Sequence, residues 1–477
     1  MDKYRMTIGL EIHAELNTKS KMFCSCKNSS FDKEEVLPNT NICPVCMGYP
    51  GTLPVINKEA VRKVLLVGHS IGSSLADFTE FDRKNYFYPD IPKGYQISQY
   101  KFPLVRGGSI AGVELTRIHL EEDTARSSHE MPGVSLVDYN RAGVPLLELV
   151  TEPVIHSSEQ AMNFAKELQL LLQYLNVSNA NMEKGEMRVE VNISISDSEK
   201  FGTKVEVKNI NSFKAAGKAI DYEFKRQASL LEEGKVVVQE TRGWDENKGM
   251  TFSQRLKESA NDYRYFPDPD LPKLILSEVS EFTNEALSKN IPEIPELKRQ
   301  RLAKDYGIKD SDIEVYIGNR DASKFFETVA VSLDGEGLVQ TASNYITSDI
   351  VGLSKNLKQD FVVGSIETSS FVKLMGMIGK GELSSRGAKD VLKIMFETGG
   401  DAEVIAKQKG LIQKNDIEEI RKMAEKIISN NPDSVSEYKS GKESLLQFFV
   451  GQGMKESKGS VNPEVFKKVI LELLTNN

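Results

Sequence analysis

Carboxylates and an imidazole that could bind a metal ion occur at two places in the sequence. Glu11 and His13 lie two residues apart in an alternating segment, so their side chains point to the same face of a strand. Glu121, Glu122 and Asp123 follow one another, and three adjacent negative charges are unfavourable in a pocket unless a cation offsets them. Such groups suit Mg²⁺ shared with phosphate oxygens. A polar strand face and a solvated acidic loop are the alternative, since periodicity does not show whether the two segments meet.

All four cysteines lie within one short segment. Cys24 and Cys26 form a C-x-C pair, and Cys43 and Cys46 form a C-x-x-C pair. Four thiolates at such spacing can close a tetrahedron around Zn²⁺, which would then hold a loop rather than take part in chemistry. The first pair is one residue tighter than usual, so two reducible cysteine pairs without a metal are the alternative.

An aromatic segment contains another candidate group, the ammonium of Lys84, which could hold a phosphate. Aromatic side chains follow it closely, interleaved with Lys93 and prolines: Tyr86, Phe87, Tyr88, Tyr95 and Tyr100. Such rings can stack on nucleic-acid bases, although aromatic clusters are more often part of a core.

Standard motifs do not account for these residues. The sequence has no G-x-x-x-x-G-K-[ST] loop and no kinase glycine loop, so a nucleotide site would be of another kind. Residues 68–72 match the G-x-S-x-G elbow of esterases, but residues 57–67 predict a capped helix where the elbow needs a strand. A hydrolase triad also ends with a histidine near the end of the chain, and His156 is the last one here.

Strand patterns dominate roughly the first 290 residues, and helical patterns dominate the remainder. Strict alternation predicts a half-buried strand over 8–16. Further strands are predicted over 188–196, 204–208 and 236–240, and helices from Ser157 and over 211–233, 371–378, 388–397 and 417–428. The expected fold class is α+β, with mixed or antiparallel sheet in residues 1–290, an all-α helical domain in 291–403 and a small helical tail in 404–477.

Composition excludes several protein classes. With 477 residues, 39% hydrophobic and 27% charged, the chain resembles a globular protein of two or three domains. No apolar run reaches the roughly 18 residues that a membrane span requires, so we expect a cytoplasmic location and no membrane partner. The net charge of −8 disfavours broad, nonspecific nucleic-acid binding, although residues 404–477 carry a small excess of basic side chains.

Segments in family order along nearly the whole chain resemble the B subunits of the Glu-tRNA(Gln)/Asp-tRNA(Asn) amidotransferases, the GatB family. These segments are IGLEIHAEL, SKMFCSC, CPVCMGYPGTLPVIN, FDRKNYFYPDIPKGYQISQY, RIHLEEDTAR, DYNRAGVPLLELVTEP, MRVEVNIS, GTKVEVKNINSF, QETRGW, KESANDYRYFPDPDLP and FFVGQGMKESKG. The related archaeal GatE proteins carry a large inserted domain, for which this chain has no room.

The resemblance implies a cradle-shaped kinase domain, a helical domain and a YqeY-like tail that binds tRNA. In this family the B subunit uses ATP and Mg²⁺ to phosphorylate the side-chain carboxylate of Glu-tRNA(Gln) or Asp-tRNA(Asn), and ammonia then displaces the phosphate. The amidase, which is the A subunit, supplies the ammonia, and a small C subunit binds the two larger chains together. A catalytically inert tRNA-binding adaptor is the alternative function.

The resemblance also implies roles for individual residues. Magnesium ligands would be Glu11, His13 and Glu122, with Glu121 beside them, and the zinc knuckle would be Cys24, Cys26, Cys43 and Cys46. Lys84 would be the pocket lysine, and further pocket residues would be Glu152, Arg188 and Lys208. Glu190 stands where the family usually has aspartate, which changes its reach by one methylene group. Candidate phosphate contacts in the tail are Lys442, Lys455 and Lys458, with surface solvation as the alternative.

Overall fold

The computed structural model describes residues 3–29, 36–128, 131, 133–256, 260–333, 337–413, 417–457 and 461–476. The chain divides into two compact units, Met1–Pro295 and Glu296–Asn477. Within the described residues, the first unit combines sheet and helices whereas the second is helical, which confirms the predicted α+β class. None of the described helices is long and apolar enough to cross a bilayer.

Strands and helices of the first unit are numbered in chain order. The strands are β1 (Arg5–Glu15), β2 (Ser74–Leu75), β3 (Phe78–Thr79), β4 (Asp82–Asn85), β5 (Tyr95–Ser98), β6 (Val105–Arg106), β7 (Ser109–Ile110), β8 (Val113–Glu122), β9 (Arg126–Ser128), β10 (Leu136–Asp138), β11 (Pro145–Thr151), β12 (Met187–Ser196), β13 (Val205–Lys208), β14 (Glu240–Asp245), β15 (Met250–Leu256), β16 (Phe266–Pro267) and β17 (Leu274–Ile275). The α-helices are α1 (Lys58–Ser70), α2 (Ser158–Tyr174), α3 (Phe213–Glu232) and α4 (Asn284–Ser288), and 3₁₀ helices span Ala260–Tyr263, Leu276–Glu278 and Ser280–Phe282.

One large sheet has β1 near its centre, in the order β15-β14-β13-β12-β1-β11-β8-β6-β2, with β7 added beside β8. Only β13 and β14 run parallel, and the other described neighbours are antiparallel. Smaller sheets pair β9 with β10, β3 with β17, and β4 with both β5 and β16. Strand β1 is therefore held on both sides by long partners.

The two faces of β1 have opposite character, as its alternation predicts. On one face, Ile8, Leu10 and Ile12 are each at most 1% exposed. They belong to one hydrophobic cluster with residues of all three long helices, including Val64, Phe164 and Ala219, so α1, α2 and α3 contribute to the core on this face. Since alternate residues of a strand face opposite ways, Glu11, His13 and Glu15 point away from this core.

Polar caps explain where the long helices begin. Asn57 accepts from the backbone N–H groups of Glu59 and Ala60, Ser157 caps α2 and Ser212 caps α3. The predicted helix over 57–67 is confirmed, and Ser70 is the last residue of α1, where its hydroxyl donates to the Val67 carbonyl at 2.8 Å. It does not lie on the strand-to-helix turn that an esterase elbow requires.

The strand predicted over 236–240 is wrong, because only Glu240 belongs to a strand and β14 extends from there to Asp245. Val236 is 79% exposed and Val238 is 55% exposed, so these β-branched residues do not pack against a sheet. The other predicted strands and helices are confirmed within a few residues at each end.

The second unit consists of helices in the part of it that the structure describes. They are α5 (Pro295–Tyr306), α6 (Asp310–Gly318), α7 (Arg320–Ala330), α8 (Leu338–Asn344), α9 (Val351–Asn356), α10 (Thr368–Gly379), α11 (Ser385–Thr398), α12 (Ala402–Gln408), α13 (Ile417–Ser429), α14 (Pro432–Lys439), α15 (Leu445–Glu456) and α16 (Pro463–Asn476), with a π-helix at Tyr345–Ile350. Helices α13, α15 and α16 share a hydrophobic cluster that is separate from the core of the first unit.

The domain boundary after residue 403 falls inside α12 and stays a prediction. Lys458 lies outside the described residues.

Helix α15 approaches α16 closely at Gly453, which yields a stability prediction. A Cβ atom at Gly453 would lie 2.3 Å from the ring of Phe466, which is fully buried, whereas one at Gly451 would meet nothing within 4 Å. We expect Gly453→Ala to lower the free energy of unfolding of α13–α16 by about 1–3 kcal/mol. Gly451→Ala should instead raise it by up to about 1 kcal/mol, because alanine favours a helix.

Hydrogen exchange of α13–α16 in the full chain measures both effects. Equal protection in the two variants would show that the close approach at Gly453 does not constrain the packing.

Candidate active site and four-cysteine cluster

The register of the sheet places four titratable side chains in one row. His13 on β1 is directly opposite Glu148 on β11 and Arg188 on β12, and Glu148 is in turn opposite His119 on β8. Directly opposed residues project from the same face of a sheet. The row therefore crosses four strands on the face that is turned away from the helices.

Glu148 connects the two imidazoles of this row. Its carboxylate lies 3.4 Å from Nε2 of His13 and 3.3 Å from Nε2 of His119. Nε2 of His13 is also 3.7 Å from Glu121 and 3.9 Å from Glu11. Three carboxylates thus converge on one imidazole, in surroundings where Glu121 and Glu148 are almost completely buried.

These contacts shift the pKa values of the group in opposite directions. Burial, together with the charges of Glu148 and Glu190, raises the pKa of Glu11 to about 7. Burial lowers the pKa of His13, but Glu148 and Glu121 outweigh it and raise that pKa to about 9. Despite burial, the two imidazoles hold the pKa of Glu148 well below its usual value. The site therefore holds its negative charge only with cationic compensation.

Donor atoms in this region are close enough together to bind a cation. Among the described residues, three sets each place their ligand atoms within 4.8 Å of one another: Glu11, His13 and Glu148; His119, Glu121 and Glu148; and Glu11, Glu190 and Glu206. Carboxylate oxygens with an imidazole suit a hard divalent ion such as Mg²⁺. Of the magnesium ligands expected from the sequence, Glu11, His13 and Glu121 come together here.

Glu122 lies apart from this group. It follows Glu121 on β8, so its side chain points to the opposite face. Its carboxylate accepts from the Ile97 N–H at 2.9 Å and pairs with the Lys93 ammonium. It lines a cavity of about 100 Å³ beside the cysteines. The alternative of a solvated acidic loop is wrong, because Glu121, Glu122 and Asp123 are each less than 5% exposed.

Lys84 lies beside the row and against tyrosine rings. Its ammonium is 5.2 Å from the ring centre of Tyr263 and 5.9 Å from that of Tyr86. Burial lowers the pKa of Lys84, but the charges of Glu121 and other neighbours outweigh it and raise that pKa well above its usual value. Lys84 is therefore a fixed positive charge at the edge of a carboxylate-rich site.

Arg83 holds the segment that carries Tyr263 and Tyr265. Its guanidinium donates to Asp268 at 2.8 Å and to Asp270 at 3.0 Å, and lies 4.3 Å from the ring centre of Tyr95. Strand β16, next to the two tyrosines, pairs with β4 through Phe266 and Arg83. Tyr265 in turn stacks on Tyr100 with ring centres 4.5 Å apart. Tyr86, Tyr263 and Tyr265 thus form a wall beside Lys84, whereas Phe87, Tyr88 and Tyr100 of the aromatic segment are exposed.

Of the remaining predicted pocket residues, Arg188 belongs to the row itself, whereas Glu190, Lys208 and Glu152 lie outside it. Glu190 is opposite Glu11 and contacts the Lys208 ammonium at 2.7 Å, so both belong to the site. Arg188 pairs with Asp123 and lies 3.5 Å from Glu15. Glu152 follows the end of β11 and accepts from the Thr116 hydroxyl at 2.7 Å, outside the three sets of donor atoms.

The sequence did not predict Glu148, His119 or Glu206 as site residues. Glu148 is the one charged residue within the apolar segment PLLELVT, and a lone carboxylate in a buried strand needs a partner. Together with the alternation of β8, that signal could have identified Glu148 and His119. The pairing of β11 with β1 was not visible in the sequence.

The cysteines form a second cluster, in which all four Sγ atoms lie within 4.8 Å of one another. The Cys43 N–H donates to Cys46 Sγ at 3.1 Å. A hydrogen bond from Cys24 lowers the pKa of Cys46 to about 4 and raises the pKa of Cys24. The four sulfurs could hold one metal ion without an open position for a substrate.

Comparison with known proteins places these features in a family. The family described as "GatB/GatE catalytic domain" matches residues 6–281, and that described as "GatB domain" matches residues 324–474. Three relatives are each named as the B subunit of an aspartyl/glutamyl-tRNA(Asn/Gln) amidotransferase. The protein of Thermoanaerobacter pseudethanolicus is 43% identical over 99% of this chain and 100% of its own length. That of Caldicellulosiruptor saccharolyticus is 44% identical over 99% of each chain, and that of Carboxydothermus hydrogenoformans is 39% identical over 99% of each. The chain belongs to the GatB family, the B subunits of the tRNA-dependent amidotransferases.

Proposed function

We propose that this chain uses ATP to phosphorylate the side-chain carboxylate of glutamate or aspartate on a misacylated tRNA. Ammonia then displaces the phosphate, giving Gln-tRNA(Gln) or Asn-tRNA(Asn). The observation that carries the proposal is the buried part of the row formed by His13, Glu148 and His119, with Glu11 and Glu121 around it and Lys84 at its edge.

Magnesium would be held by Glu11, His13 and Glu148, with Glu121 next to them. When bound, Mg²⁺ would offset the carboxylate charge and that of the transferred phosphoryl group. Glu122, expected from the sequence as a further ligand, would need to turn away from Lys93 and Ile97 to join them. Glu148 takes its place in the proposed set because it contacts His13 directly.

Cationic side chains would admit anionic substrates to this negative face. Lys84 stands on one side of the carboxylates and Lys208 on the other. Both would attract phosphate or carboxylate oxygens and hold them near the row. The wall of Tyr86, Tyr263 and Tyr265 would exclude water from the phosphorylated intermediate, which water would otherwise hydrolyse.

The four cysteines would hold a structural Zn²⁺, because a closed set of four thiolates is the usual ligation of such sites. The amidase of the complex, its A subunit, would supply the ammonia, and a small C subunit would bind the two larger chains together. The YqeY-like tail would bind tRNA, with Lys442 and Lys455 as phosphate contacts, although Lys442 is paired with Glu437 at 2.9 Å. A cytoplasmic location fits a role in aminoacyl-tRNA formation.

The direct test of this function incubates the complex of all three chains with Glu-tRNA(Gln) and ATP labelled at the γ-phosphate, in the absence of glutamine. We expect a labelled phosphoryl-aminoacyl intermediate, and none with Gln-tRNA(Gln), which lacks the free carboxylate. If neither Glu-tRNA(Gln) nor Asp-tRNA(Asn) is labelled although the complex binds both, the inert adaptor is the better interpretation.

Removing one of the carboxylates that contact His13 should strongly slow phosphorylation without preventing tRNA binding. Because metal-based charge stabilisation contributes several kcal/mol, we expect Glu11→Ala and Glu148→Gln each to lower the phosphorylation rate by about 100-fold or more. Glu114→Gln is the matched control, since Glu114 lies on β8 but is exposed. The rate of labelling and the Kd for Glu-tRNA(Gln) separate the two effects, and parallel loss of both would contradict a catalytic role.

Detaching the segment that carries Tyr263 and Tyr265 should have a different effect from removing a carboxylate. Arg83→Ala removes both hydrogen bonds to Asp268 and Asp270, so we expect faster hydrogen exchange in residues 263–270 and a higher KM for the aminoacyl-tRNA. Arg83→Lys retains the charge but not the two-pronged geometry, and should behave similarly. Arg62→Ala, which breaks an ion pair within α1, serves as the control. Unchanged exchange in 263–270 would show that Arg83 does not hold this segment.

A further inference from the structure

Lys21 is a lysine whose side chain is completely buried next to the cysteine cluster. Its ammonium donates to the carbonyls of Asn41 at 3.0 Å and Tyr139 at 3.4 Å, and lies 3.8 Å from Cys46 Sγ. Burying a charged ammonium is costly unless an opposite charge offsets it, and two neutral carbonyls do not supply that charge. The sulfurs are the anionic partner that this geometry offers.

The backbone places Lys21 between the two cysteine pairs. Its N–H donates to the Cys26 carbonyl at 2.9 Å, within the turn that carries Cys24 and Cys26. Its ammonium reaches Asn41, two residues before Cys43. One side chain therefore bridges both halves of the cluster.

The charge of a metal-bound cluster explains why a cation is needed there. Four thiolates around a divalent ion carry a net charge of about −2, by the count of ligand charges. Cys46 is buried, so water cannot fully screen this excess. Lys93 also lines the neighbouring cavity, but its ammonium is paired with Glu122.

We infer that Lys21 is a positioning residue for the metal: its buried ammonium donates to the Cys46 thiolate and offsets the negative charge of the four-cysteine complex. The inference rests on the zinc assignment made under the proposed function. Groups that contact metal ligands from outside commonly change metal affinity without binding the ion themselves.

Lys21→Met tests this inference in the full chain, because methionine is similarly long and uncharged. We expect its Zn²⁺ affinity, measured by competition with a chromophoric chelator, to fall about 10- to 100-fold. The matched control is Lys63→Met. Lys63 is also buried, but its ammonium contacts Asn17 and the Asn176 carbonyl rather than a cysteine. The substitution Lys63→Met should lower the Tm without changing Zn²⁺ affinity.

The Zn²⁺ affinities of these variants either support or overturn the role of Lys21. Affinity within about twofold of wild type for Lys21→Met, or an equal loss in both variants, would overturn the inference. Lys21→Gln keeps a hydrogen-bond donor but not the charge, and gives the answer if Lys21→Met fails to fold; wild-type affinity there would also overturn it. A wild-type chain that does not bind Zn²⁺ stoichiometrically would overturn the zinc assignment itself, and this inference with it.

Discussion

Negative charge gathered on one face of the central sheet is the constraint on which the rest of the first unit depends. Two carboxylates about 4 Å apart repel each other by about 4 kcal/mol at an effective dielectric constant of 20. Ligand atoms of Glu148 lie within 4.8 Å of those of Glu11 and of those of Glu121, so this repulsion acts within the site. The opposite face of the same strands must therefore bury enough apolar surface to keep the sheet intact, and it does so against three helices. One face of these strands therefore stabilises the sheet by packing against helices, and the other face carries the charged site.

This arrangement also explains the smaller elements around the sheet. Strand β4 brings Lys84 to the edge of the charged row, and Arg83 on the same strand anchors the segment with Tyr263 and Tyr265. Strand β13 brings Lys208 to the other side, next to Glu190. Because Lys84 and Lys208 stand at the edges, the imidazoles offset the carboxylates of Glu11, Glu121 and Glu148 at the centre of the site. A bound divalent ion or a phosphate-bearing substrate would complete the balance.

Local patterns in the sequence were enough to predict much of the fold but only part of the site. The alternation of β1 predicted that Glu11 and His13 share a face, and capping residues predicted the starts of α1 and α2. The lone carboxylate of Glu148 in an apolar strand was a local signal, but its position opposite His13 could not be predicted, since that depends on β11 pairing with β1 in one particular register. Registers between distant strands depend on packing of the whole core, which a local pattern does not contain.

Adjacent charges in the sequence likewise separate in space. Glu121 and Glu122 form one acidic run, yet alternation along β8 sends Glu121 to the charged row and Glu122 towards Lys93. Applying to β8 the same alternation of side chains that was applied to β1 would have predicted that Glu121 and Glu122 point to opposite faces. The resemblance to a family made Glu122 the ligand and Glu121 its neighbour, whereas the structure places Glu121 beside His13 and Glu122 beside Lys93. Family membership assigns roles to motifs and not to the faces of strands.

The cysteine cluster and the end of β8 are joined through the turn before β11. Gly143 has a φ of +85°, and a Cβ atom there would lie 3.5 Å from Cys46 and 3.9 Å from the Glu122 carboxylate. Its N–H donates to the Asp123 carbonyl, and its carbonyl accepts from the Met22 N–H at 2.7 Å. The backbone of this turn thus ties the cysteine loop to the end of β8. A metal held by the cysteines would stabilise the position of Asp123, whose carboxylate pairs with Arg188 in the row. A structural ion can in this way affect the site without touching substrate.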